Sequence, residues 1–234
     1  MHRRATTRTL AALLFLSACS SAPPGTPASA CAPAPAAPSP PFAGQRPSMQ
    51  QAAARFAALG VQPGQPLPPL SLVGLDGQAV DLEAFRNGRP MVLVTCSLTC
   101  NIARRQQVPL AELRRRWGDA VAFVTVYTIE AHPKTDPSPY TGDEWVPLGN
   151  ERDGVLVRQP AQLPDRLALA NRYASDWAGG VPVLVDTMDD ASWKALGEAP
   201  NVGLAVDARG VVVARTGWFD PQAIAAALEK IAPR

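Results

Sequence analysis

The sequence predicts an α/β fold, a central mixed sheet flanked by helices, on three observations. Residues 91–95 and 121–129 are apolar, β-branched runs without alternation, the makeup of strands covered on both faces. Helical patterns follow each of them, and a third apolar run, 183–185, comes next. The chain then closes with a hairpin and a last helix, an order that implies a mostly parallel centre to the sheet.

The elements follow in order. His2-Arg3-Arg4 and the apolar run 10–16 have the basic and hydrophobic regions of an export signal, too short to span a bilayer. Leu16-Ser17-Ala18-Cys19 resembles a bacterial lipobox, so 1–18 reads as a lipoprotein signal peptide and Cys19 as the lipidated residue. Residues 19–60 read as a Pro/Ala-rich tether with a short helix, 48–59, capped by Ser48 and stopped by Gly60. Cys31, inside the tether, reads as a bystander thiol, with pairing to another chain as the alternative.

The domain proper is expected over 61–234. It opens with an extended proline-rich stretch, a strand at 70–73, an Asp76-Gly77 turn, Val80-Asp81-Leu82 and a helical turn ended by Asn87-Gly88. Strand 91–95 leads to a helix from Cys100 to Arg116, which Pro109 must kink or split. Residues 133–158 read as a long loop that shapes a pocket mouth. Helices at 163–177 and 190–196 flank the third strand. The hairpin pairs 203–206 with 211–215, and Asp220-Pro221 opens the final helix as N-cap and first helical residue.

Charge and composition exclude some functions. A net charge of +2 gives no basic field for nucleic acid. Four cysteines and two histidines, one in the signal, without paired C-x-x-C knuckles argue against bound metal. What remains is thiol chemistry in the stretch Val92-Leu93-Val94-Thr95-Cys96-Ser97-Leu98-Thr99-Cys100-Asn101.

Cys100 lies where a strand hands over to a helix, beside that helix's free N–H groups and positive dipole end. That position lowers a thiol's pKa, so Cys100 is expected to be an ionised, reachable nucleophile. Cys96 is the expected resolving partner, or a small apolar residue filling the strand end. His132, on a loop at the same sheet edge, is expected to exchange protons at near-neutral pKa; a plain surface histidine is the alternative. Glu130 orients it, shuttles protons or is a solvated strand-end carboxylate. Ser97 and Thr99 donate to the thiolate or cap the helix, and Tyr127 reads as core.

The element order resembles the thioredoxin superfamily in its redoxin branch. Val126-Tyr127-Thr128-Ile129-Glu130-Ala131-His132 is similar to the Tyr-Ile-Glu-Glu-Ala-His segment of the iodothyronine deiodinase family. Asp143-Glu144-Trp145, Leu163-Pro164-Asp165-Arg166-Leu167 and Val185-Asp186-Thr187-Met188-Asp189 resemble further segments of that family, in its order. Ser97-Leu98-Thr99-Cys100 stands in place of the family's Ser-Cys-Thr-selenocysteine, so Cys100 takes the selenium's position and Leu98 replaces a cysteine. The family's arginine near the last hairpin has no counterpart in Pro200-Asn201-Val202.

The resemblance implies a thioredoxin-like fold and a thiol-dependent oxidoreductase. Cys100 would attack a halogen, peroxide or disulfide, with Cys96 resolving, an external thiol reductant and no bound cofactor. Alternatives are a thiol peroxidase, a TlpA-like disulfide reductase, or a non-catalytic ligand-binding lipoprotein. Expected partners are a small-molecule or thiol/disulfide substrate, a redox protein and a second copy of the chain. The expected location is the periplasmic side of a bacterial cell envelope.

Overall fold

The computed structural model describes residues 39–118 and 120–232. The signal at 1–18, the lipidation site Cys19, Cys31 and the tether to residue 38 lie outside the described residues. In chain order come α1 (Met49–Ala58), the hairpin β1 (Leu72–Val73) and β2 (Ala79–Val80), α2 (Leu82–Arg86), β3 (Met91–Cys96) and α3 (Asn101–Trp117). Then follow β4 (Ala122–Tyr127), α4 (Leu148–Arg152), α5 (Leu163–Asp176), β5 (Val183–Asp186) and α6 (Ala191–Leu196). The hairpin β6 (Gly203–Val206) and β7 (Val212–Thr216) precedes α7 (Pro221–Ile231).

The seven strands form one sheet in the order β2-β1-β5-β4-β3-β6-β7. Only β3·β4 and β4·β5 are parallel; the other four pairings are antiparallel. The sheet is therefore mixed, as expected, with its parallel strands at the centre and a hairpin closing each end. Every residue of β3 and β4 is buried, as their unbroken apolar runs require. α3 and α7 share one face, where Leu110, Leu113, Ile224 and Leu228 pack on Val92 and Val94.

Three expectations need correction. Residues 39–60 are not tether: they belong to the same compact unit as the rest of the described chain, and α1 docks through Ala52 and Phe56. The Phe56 ring meets Tyr140 at 5.6 Å and Trp218 at 5.5 Å, both edge-on. Ser48 and Gln51 form a reciprocal capping box at its start. At its end Gly60 turns with φ +73°, and a Cβ there would lie 2.5 Å from the Gly197 nitrogen, so only glycine lets the two turns meet.

Pro109 does not split α3, which runs unbroken through it. The carbonyl that loses its partner belongs to Arg105, an exposed position. The long loop 133–158 carries a helix of its own, α4. Its first residue, Leu148, is 82 % exposed, so no apolar stripe announced it. Among the described residues no helix is long and apolar enough to cross a membrane.

Candidate functional site

β3 and β4 run in parallel register with Cys96 opposite Tyr127, so the loops leaving them emerge side by side. Residues 97–100 and 130–132 are joined there. Thr99 donates to the Glu130 carboxylate through its backbone N–H (2.8 Å) and its hydroxyl (2.5 Å). The same hydroxyl oxygen accepts from the His132 N–H (3.0 Å), and the Ser97 hydroxyl oxygen accepts from the Ala131 N–H (3.2 Å). The Tyr127 hydroxyl donates to Glu130 and accepts from the Leu98 N–H.

Several assigned roles change accordingly. Glu130 is fully buried rather than solvated, and burial raises its pKa despite the donors around it. It reaches His132 only through Thr99. Ser97 and Thr99 fasten the loop and neither caps the helix. Tyr127 is core and also a hydrogen-bonding member of the network.

Cys100 is itself the N-cap of α3, its Sγ accepting from the Ala103 N–H at 3.4 Å. The helix start favours the thiolate as expected, and Arg104 adds to it, but burial outweighs both. The sulfur's residue is 1 % exposed and its pKa is pushed up to about 11. An ionised, exposed resting thiolate is therefore not what the fold provides. Cys96 is buried with it at the end of β3, and both thiols are free. Its pKa lies well above the ordinary value through burial, against the effect of the Tyr173 hydroxyl. Ala103 occupies the place that a C-x-x-C motif starting at Cys100 would give its second cysteine.

His132 is also enclosed, at 8 % exposure, with Trp145 edge-on at 4.4 Å. Burial, aided by Arg104 and Arg46, lowers its pKa to about 4, so the imidazole is neutral near pH 7. Its Nδ1 is buried without a partner. It lines a pocket of about 230 Å³ with Phe42, Phe56, Ile102, Trp145 and Trp218, next to the start of α3. The N-terminal segment supplies two of those walls.

Arg104 is the residue that sequence reasoning missed. It donates to the Leu98 carbonyl (2.5 Å), to Asn150 (3.0 Å) and to Asp153 (2.9 Å). Asn150 in turn donates to the Thr99 carbonyl at 2.8 Å. A signal was present: Arg104 falls on the same helical face as Ala103, Gln107 and Leu110, where an arginine must be paired.

The profile of the iodothyronine deiodinase family matches residues 49–230. The chain belongs to that family. The match begins with α1, in keeping with that helix being part of the domain. No curated protein matches the chain. Among solved structures it is similar to a protein described as thiol:disulfide interchange protein DsbE from Chlorobium tepidum, at 16 % identity and TM-score 0.50, over 72 % of this chain and 99 % of that one. It is also similar to an uncharacterized conserved protein from Geobacillus kaustophilus, at 18 % identity and TM-score 0.50, over 73 % and 82 %. These likenesses show a thioredoxin-like fold.

As a deiodinase-family chain it brings the family-like segments together in space. Residues 97–100 meet 130–132 as described, and Trp145 lies on His132. The Leu163-Pro164-Asp165-Arg166-Leu167 segment meets Val185-Asp186-Thr187-Met188-Asp189 through Arg166. That side chain, 1 % exposed, donates to the Asp186 carbonyl (3.2 Å), the Thr187 carbonyl (2.7 Å) and the Asp190 carboxylate (2.8 Å). This second junction holds the scaffold.

Proposed function

We propose that the chain is a thiol-dependent oxidoreductase in which Cys100 is the nucleophile and Cys96 resolves it. The observation that carries this reading is the pair of free thiols in one core, one capping α3 and the other ending β3. With an aryl halide, the Cys100 thiolate takes the halogen as S–X while the ring carbon takes a proton. Cys96 then displaces halide, forming the S–S bond and losing its proton. With peroxide, S–O forms, O–O breaks, one water leaves with the nucleophilic attack and a second on closure with Cys96. With a disulfide, a mixed disulfide forms and Cys96 releases the second thiolate. In each case two equivalents of an external thiol restore both cysteines.

His132 enters as a base, because a neutral imidazole beside the pocket can accept a proton. The pocket's aromatic walls suit a ring-bearing ligand. Thr99, Ser97, Glu130 and Tyr127 keep the cysteine loop and the His132 loop in register. The resting thiol at about pKa 11 leaves about one molecule in 10⁴ as thiolate at pH 7. Turnover therefore requires that substrate entry or opening of the pocket favour ionisation.

The test offers the purified full chain iodothyronines or hydrogen peroxide with the same dithiol reductant. Iodide release that disappears in Cys100→Ser supports dehalogenation; peroxide loss alone supports the peroxidase reading. The burial of Cys100 gives a third reading, a ligand-binding lipoprotein, which stands if neither substrate is consumed and the aromatic compound still binds. Anchoring at Cys19 on the periplasmic side is the location proposed. It predicts fatty-acid incorporation that Cys19→Ala abolishes.

A further inference from the structure

We propose that Arg104, and not His132, is the positioning residue that supplies the counter-charge when the Cys100 sulfur ionises. The inference rests on Cys100 being the reacting group. Arg104 is one helical turn beyond Cys100, and its N–H donates to the Cys100 carbonyl at 3.1 Å. Helical side chains lean back toward the N-terminus, which carries the guanidinium behind the 98–100 loop. There it holds the Leu98 carbonyl directly and the Thr99 carbonyl through Asn150, which is fully buried. The two peptide units that set the position of Cys100 are thus fixed by one cation.

The balance of charge points the same way. The titratable and charged groups acting on Cys100 or acted on by it are Arg104 on its own helix, Glu130 after β4, Cys96 on β3, Tyr140 in the 133–147 segment and Tyr173 on α5. Arg104 is the one cation among them. Its carboxylate partner, Asp153, lies on the outer side and is 35 % exposed, so water screens that pair. His132 stays neutral near pH 7 because it is enclosed, and Arg104 itself opposes its protonation. A thiolate–imidazolium pair would place a second cation beside an arginine already there.

The test is labelling of Cys100 by uncharged iodoacetamide in the full chain, at pH 8 for relative rates and over a pH series that locates the midpoint, followed peptide by peptide with mass spectrometry. Rate there is proportional to the thiolate fraction, and neither substrate nor reductant is needed, so the result is independent of turnover. Arg104→Met is expected to label at least about tenfold more slowly, one pH unit of midpoint. Arg104→Lys, which keeps the charge, stays within about threefold of wild type. Asp153→Asn, at a half-exposed site, labels faster because the guanidinium loses its competing partner. His132→Gln leaves the pH midpoint of labelling in place. Equal slowing in Lys and Met variants with no effect of Asp153→Asn would reduce Arg104 to a brace and overturn the proposal. An upward midpoint shift of one unit in His132→Gln would overturn it too, by making His132 the counter-ion. If the Met variant does not fold, the Lys, Asn and Gln arms still decide.

Discussion

Acid titration of His132 isolates one buried group and has a calculable size. The imidazole titrates near 6.5 when solvated and near 4 in the folded chain, because burial disfavours the cation and Arg104 and Arg46 add to that, against a hydrogen bond with the Trp145 backbone. Its folded value is depressed. The stabilising contribution is therefore whole above about pH 6.5 and is lost as the pH falls through about 4, where the unfolded chain gains a proton first. A shift of about 2.5 pH units at 1.36 kcal/mol each is about 3 kcal/mol. Urea denaturation of wild type and His132→Gln at pH 7 and pH 4 measures it. Surface carboxylates titrate in both proteins and cancel in the difference. Wild type should lose about 3 kcal/mol more than the variant over that interval. A wild-type-minus-variant difference that is flat with pH would refute the enclosure of His132.

Three further outcomes follow from named contacts. Cys100 is shifted the other way, from 9.0 to about 11, so its contribution is present below about pH 9 and is lost as the pH rises toward 11; about 3 kcal/mol of alkaline destabilisation should vanish in Cys100→Ser. Phe56→Ala removes the ring held between Tyr140 and Trp218 and should cost about 3–5 kcal/mol by chemical denaturation, whereas a helix in a loose tether would cost nothing. Glu130→Ala strands the Tyr127 hydroxyl and the Thr99 N–H in the core, at about 1–3 kcal/mol for each, and should also alter the labelling rate of Cys100; Glu130→Gln should be milder on both readouts.

Local pattern explains what was legible in the sequence. The unalternating runs of β3 and β4, the Ser48 cap and the Asp220-Pro221 start each reflect neighbours within a few residues, and all appear where expected. The juxtaposition of Cys100, Cys96 and His132 at one sheet edge was legible because parallel strands end together. Enclosure was not. Phe56 looks unremarkable beside alanines until Tyr140 and Trp218 arrive from distant parts of the chain, so nothing local separates α1 from the tether. The same long-range closure turned an expected thiolate into a buried thiol and an expected near-neutral imidazole into one titrating near 4. A helix start favours the thiolate by a local effect; desolvation depends on everything packed around it, and here it is larger.

The pairing of the two buried sulfurs is the point at which the functional account is most exposed. Full-length protein treated with one equivalent of hydrogen peroxide, trapped with alkylating agent, digested without reductant and read by mass spectrometry would report it directly. A peptide cross-linked between Cys96 and Cys100 that a dithiol reverses is the expected product. Cys100 recovered unmodified, or oxidised while Cys96 remains a free thiol, would contradict it.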